Sequence, residues 1–157
     1  MKKEYQYIKY VIAINFIWLG FVGAISFMEA WLKFQAPGIT TEIGLGIGQL
    51  VFNALNKVEI TCALAIFVVM IYSKPMYKQI KRKYFLGISL LILGLQTIWL
   101  LPALDHRADL IIQGVDVPKS RLHLWYVLFE ILKVISLFAY GMMLFKIYLE
   151  KSSTKKI

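Results

Sequence analysis

His123, Tyr126, Glu130 and Lys133 stand at i, i+3, i+7 and i+10 in an otherwise apolar run, a spacing that puts all four on one helical face. A carboxylate and an ammonium are costly inside a bilayer unless they pair or face a wet cavity, so such residues mark a functional site. Glu130 can exchange a proton beside its counter-charge Lys133, and His123 is suited to be a general base, a metal ligand or a pH sensor. A second polar stripe consists of Gln49, Asn53 and Asn56 at i, i+4 and i+7, with Glu59 about one turn further along. At the helical rise, Glu130 lies roughly 12 Å and Lys133 roughly 16 Å below the start of their apolar run, and Glu59 reaches a similar depth. Gln96 and Glu29 fall in two further apolar runs, and Arg107 falls in the loop beside them. The expected ligand-binding set is therefore Glu29, Asn53, Asn56, Glu59, Gln96, Arg107, His123, Tyr126, Glu130 and Lys133.

These groups share one half of the chain's long helices. The other halves, represented by Ile8–Phe16, Ala65–Ile71 and Ile135–Phe145, read as nearly bare of polar side chains. Converging, the polar halves would form a pocket open to one side of a membrane and closed below by an apolar plug. Each member also has a structural role open to it: Glu130 and Lys133 as an ion pair that fixes helix register, Glu59 and the asparagines as interhelical hydrogen bonds. Ser120, His123 and Asp116 have the side-chain types of a hydrolytic triad, but their placement supplies no oxyanion hole. The two histidines, His106 and His123, fall in a loop and a helix, which argues against a bis-histidine haem within a bundle. His123, Glu130 and Asp105 have the types of a His-plus-carboxylate metal site, but neither an HxxxH nor an ExxH arrangement is present, so no metal ligands are assigned. Cys62 is the sole cysteine and leaves no disulfide framework.

The elements that must hold these residues are plain in the composition. Of 157 residues, 59% are hydrophobic and 17% charged, too few polar groups to coat a water-soluble bundle. Four apolar stretches, about Tyr7–Ala30, Gly44–Tyr72, Tyr84–Ala103 and Leu122–Ile147, meet the roughly 20 residues that a helix needs to cross a bilayer. The expected fold is an all-α integral membrane protein, one domain of four transmembrane helices in two outward hairpins. The first apolar run is too long for a signal peptide and is read as a span. The net charge of +9 is concentrated at the two ends and in the Lys74–Lys83 loop. Basic loops favour the cytoplasmic side, so both termini are expected inside and the hairpin turns outside. The charge then reflects topology and contact with anionic lipid, not nucleic acid.

Pro37 and Pro102 are each expected to close an outgoing helix. A short interfacial helix is expected at about 105–113, stopped by Gly114, with Asp116 or Ser120 capping the last span. Gly44 and Gly48, and likewise Gly20, Gly23 and Ala24, are expected to let helices pack closely within the bundle. Trp31, Phe34, Trp99 and Trp125 belong at the outer boundary, where amphipathic rings are at home.

Several segments carry a resemblance: Phe34–Gly38, Gly44–Gly48, Val51–Glu59, Leu101–Ala108 and Leu122–His123. In these the chain resembles small bacterial four-helix inner-membrane proteins grouped as domains of unknown function. Helix one through Pro37 is faintly similar to DoxX-like proteins. Asn56-x-x-Glu59 is similar to half of a motif in the MAPEG membrane enzymes, although Phe52 stands where that motif has arginine. The first resemblance implies a multi-pass protein of the bacterial cytoplasmic membrane and brings no activity or cofactor with it. The function expected from the residues is binding or translocation of a small solute, ion or lipid-like ligand through the outward pocket. Two alternatives stay open: an intramembrane enzyme acting on a lipid or quinone-like substrate through Glu130 and His123, and a non-catalytic subunit or assembly factor. Partners in these readings are the lipid bilayer, a small ligand, a second copy of the chain or another membrane protein.

Overall fold

The computed structural model describes residues 2–72 and 84–153, so the basic loop Lys74–Lys83 lies outside the described residues. Every element among the described residues is helical. Four helices, Tyr7–Gln35, Thr41–Tyr72, Tyr84–Ile112 and Leu122–Glu150, are long and apolar enough to cross a membrane, and we call them the first to fourth spans. A helix pairs its own backbone groups along its length, which lipid requires of any crossing segment. The first span packs against the second and fourth, and the third against the fourth and the second, so the four close into a bundle.

Turn chemistry sets the ends of the spans. The first span ends in a tight 3-10 turn, Lys33–Gln35. Ala36 is then extended (φ −71°, ψ 136°), as the residue before a proline prefers, and Gly38 takes a positive φ of 84°. Thr40 Oγ1 accepts a hydrogen bond from the Ile43 N–H at 3.3 Å and so caps the second span. At the end of the third span the Gly114 N–H bonds the Ile111 carbonyl and the Val115 N–H bonds the Leu110 carbonyl, both at 3.0 Å, with Gly114 at φ 78°. Ser120 Oγ, not Asp116, accepts from the Leu122 N–H at 3.1 Å at the start of the fourth span.

Four expectations need correction. Pro102 does not end the third span, and residues 105–113 are not a separate interfacial helix: the helix runs on as Leu101–Ile112. A π-helical turn, Gln96–Leu100, comes just before the proline, and this wider turn accommodates a residue with no N–H to give. Gly20 and Gly23 face open space and bring no neighbour close, whereas Gly141, in the fourth span, is held against Asn15 and Phe16 of the first. The halves that read as nearly bare also hold buried polar side chains. Asn15 and Ser136 are buried there, donating to the Leu137 carbonyl at 2.9 Å and the Phe85 carbonyl at 2.6 Å.

The burial pattern is inverted with respect to a water-soluble protein. Glu59, Gln96, Glu130 and Lys133 are buried, while Ile98 is 82% and Leu50 75% exposed on the outside. Polar groups inside and bulky apolar groups outside suit a surface that meets lipid. Trp18, Val22, Leu55, Leu93, Leu137 and Tyr140 contribute to the apolar core around the polar residues.

Candidate functional site

At mid-bundle all four spans contribute to a common polar point, Trp18, Glu59 and Gln96 from the first three and both Glu130 and Lys133 from the fourth. Lys133 Nζ lies 2.5 Å from Glu59 Oε1 and 3.2 Å from Glu130 Oε1, and donates to Gln96 Oε1 at 2.6 Å. An ammonium has three N–H donors, and these three acceptors use them all. Gln96 Nε2 donates to Glu130 Oε1 at 3.2 Å, and Trp18 Nε1 donates to Glu59 Oε1 at 2.8 Å. Glu130 Oε2 is buried with no hydrogen-bond partner. The positioning is local in origin: Glu130 and Lys133 are one helical turn apart, while Gln96 is the first residue of the π turn in its span.

Tyr126 sits one turn above this cluster, buried, with its hydroxyl beside Glu130 and Ser26 and its ring edge-on to Phe52 at 5.4 Å. Above Tyr126 lies a cleft of about 320 Å³ at the hairpin end of the bundle. Phe34, Leu45, Phe52, Leu101 and Leu104 make its apolar walls, and Lys33, Gln49, Asp105, His123 and Tyr126 its polar points. Gly44 and Gly48 create the room: a Cβ at Gly44 would overlap the Phe34 ring, and one at Gly48 would come within 3.0 Å of Lys33 Nζ. The glycine step therefore lets the end of the first span pack closely on the second, and the side chains it admits also edge the cleft. Lys33 pairs with Glu29 at 3.3 Å and lies 5.5 and 5.4 Å from the Phe34 and Phe52 ring centres. Glu29 Oε1 and Ser26 Oγ, both from the π-helical turn Gly23–Glu29, are buried without partners.

The expected site residues thus fall into four groups. Glu59, Gln96, Glu130 and Lys133 meet in the buried cluster, with Tyr126 over it. Glu29 and His123 belong to the cleft end, His123 in its lining and Glu29 through Lys33. The amide stripe ties the second span to the third: Asn53 donates to Asp105 Oδ2 and Gln49 to Asp109 Oδ1, each at 2.8 Å, and Asn56 donates to Thr97 Oγ1 at 2.8 Å. Arg107 is held by the carbonyls of Val117 and Pro118, which clamps the 113–121 turn onto the third span. Trp18, Lys33 and Asn15 carried no signal in the sequence, because an indole in an apolar run reads as core, a lysine after one reads as loop, and a lone amide has no visible partner. Among the described residues, no three His, Cys, Asp or Glu side chains come together as a metal-holding group. Compared with protein-family models, with curated proteins and with solved structures, the chain matches none of them.

Proposed function

We propose that this multi-pass membrane protein binds a small ligand with an apolar body and a polar group, captured from the outer side through the cleft, and that binding serves its translocation. The observation that carries this reading is the cleft of about 320 Å³ whose back wall, Tyr126, rests on a fully buried ionic cluster. That volume is at the lower end of the roughly 300–1,000 Å³ typical of ligand sites, and apolar walls with a few polar points are their usual lining. An ion alone would have no use for walls of Phe34, Leu45, Phe52 and Leu104. Lys33, Asp105 and His123 orient the polar group, and Tyr126 offers a hydroxyl at the inner end.

Orientation rests on charge. The Lys74–Lys83 stretch and the lysines near both ends favour the cytoplasmic side, which puts the 36–40 and 113–121 turns, and the cleft between them, outside. A ligand that binds only the folded state raises its stability by RT ln(1 + L/Kd), where L is the free ligand concentration. Among single-chain amphiphiles screened against the detergent-purified protein, at least one class is expected to raise the unfolding temperature. Leu45→Trp, which fills the cleft, is expected to abolish that shift while leaving the unliganded midpoint near wild type. No shift from any class, or the same shift in Leu45→Trp, would contradict ligand capture at this cleft.

A further inference from the structure

The mid-bundle cluster is one positive charge short. Glu59 and Glu130 bring two carboxylates, Lys133 brings one ammonium, and all three are essentially inaccessible to solvent. Among the described residues, no second cation faces them. The first span presents Trp18 and Ser26, the second Glu59 and the Cys62 thiol, the third Gln96, and the fourth Tyr126, Glu130 and Lys133. With both acids ionised, the cluster would hold a net negative charge in a dry interior, which is costly.

A bound metal ion is a poor remedy. The Lys133 ammonium already occupies the position between the carboxylates, and hard cations need about six oxygens. A proton needs one oxygen, and Glu130 Oε2 is buried with no hydrogen-bond partner. The Tyr126 hydroxyl stands beside Glu130 on one side, and the same residue lines the cleft on the other. A phenol both donates and accepts, so it can pass a proton in either direction. We propose that Glu59 and Glu130 together hold one exchangeable proton, taken up from and released to the cleft through Tyr126. Uptake turns one carboxylate into a neutral carboxyl and leaves the cluster with no net charge, and release returns the proton to cleft water. No electron transfer or co-reactant is involved. The proton site stands whether or not the cleft takes a ligand.

Infrared spectroscopy of the full chain in lipid bilayers at neutral pH tests this, because a protonated carboxyl absorbs apart from carboxylates. One carboxyl signal, shifted in heavy water, is expected in the wild type. Glu59→Gln and Glu130→Gln are each expected to remove it, since a single acid then pairs with Lys133. In Lys133→Met both acids need protons, and the signal is expected to rise about twofold. Tyr126→Phe is expected to keep the amplitude and slow the exchange into heavy water. Absence of a carboxyl signal from the wild type would overturn the proposal even if every variant failed to fold. So would a signal that persists unchanged in Glu130→Gln, or one that stays at wild-type size in Lys133→Met.

Discussion

Lys133→Ala is expected to destabilise the bundle by about 3–5 kcal/mol, the largest effect of any single substitution considered for this chain. The ammonium meets Glu59, Glu130 and Gln96 at 2.5, 3.2 and 2.6 Å, so its loss leaves the remaining charge of the buried acid pair without a counter-ion and an amide oxygen without its donor. Much of the cost comes from what is left behind, not from the net strength of the pair in the intact protein. Replacing the acids as well, in Lys133→Met with Glu59→Gln and Glu130→Gln, is therefore expected to recover a large part of the lost stability. Unfolding in mixed micelles, followed by helical circular dichroism, measures both variants. A Lys133→Ala protein within about 1 kcal/mol of wild type would mean that the carboxylates reach water and that the cluster is not sealed.

Gly141→Leu is expected to be the second most damaging change, acting through shape alone. A Cβ at Gly141 would stand 2.7 Å from Asn15 Nδ2 and 2.9 Å from the tip of the Phe16 ring. The ring can yield, but the Asn15 amide is held at 2.9 Å by the Leu137 carbonyl in the facing helix. Overpacking costs of about 1–3 kcal/mol are usual, and a side chain of leucine's size belongs at or above the upper end. The loss works against helix propensity, which favours leucine over glycine by up to about 1 kcal/mol. Gly20→Leu is the matched control: its Cβ meets nothing within 4 Å, so propensity alone acts and stability is expected to hold or rise slightly. Equal losses in the two variants would show that the first and fourth spans do not approach closely at Gly141.

How much of this was legible in the sequence depended on whether a residue announced itself without its partner. The four spans did, because apolar length decides membrane crossing almost unaided. Glu59, Glu130 and Lys133 did, because a charge in an apolar run demands an explanation wherever its partner sits. That Glu59 joins Lys133 across the bundle, while its neighbours Asn53 and Asn56 turn to the third span, depends on helix rotation, and a wheel of one helix does not fix that. Trp18 and Gly141 were silent for the same reason: indole and glycine fit many apolar contexts, and only the facing helix gives them a task. Pro102 misled because proline's rule assumes a regular α-turn, and the preceding π turn removes that assumption.

Cleft and cluster together make one claim: the hairpin end of the bundle receives a small ligand, with Tyr126 between it and the buried charges. The most direct measurement is native mass spectrometry of the protein released from mild detergent, with extraction and identification of whatever it retains, beside Leu45→Trp. A discrete adduct on the wild type that is missing from the folded variant is predicted, and its mass would name the ligand class. An unliganded wild type, or the same adduct on Leu45→Trp, would contradict ligand capture and leave the buried cluster to be judged by its own infrared signal.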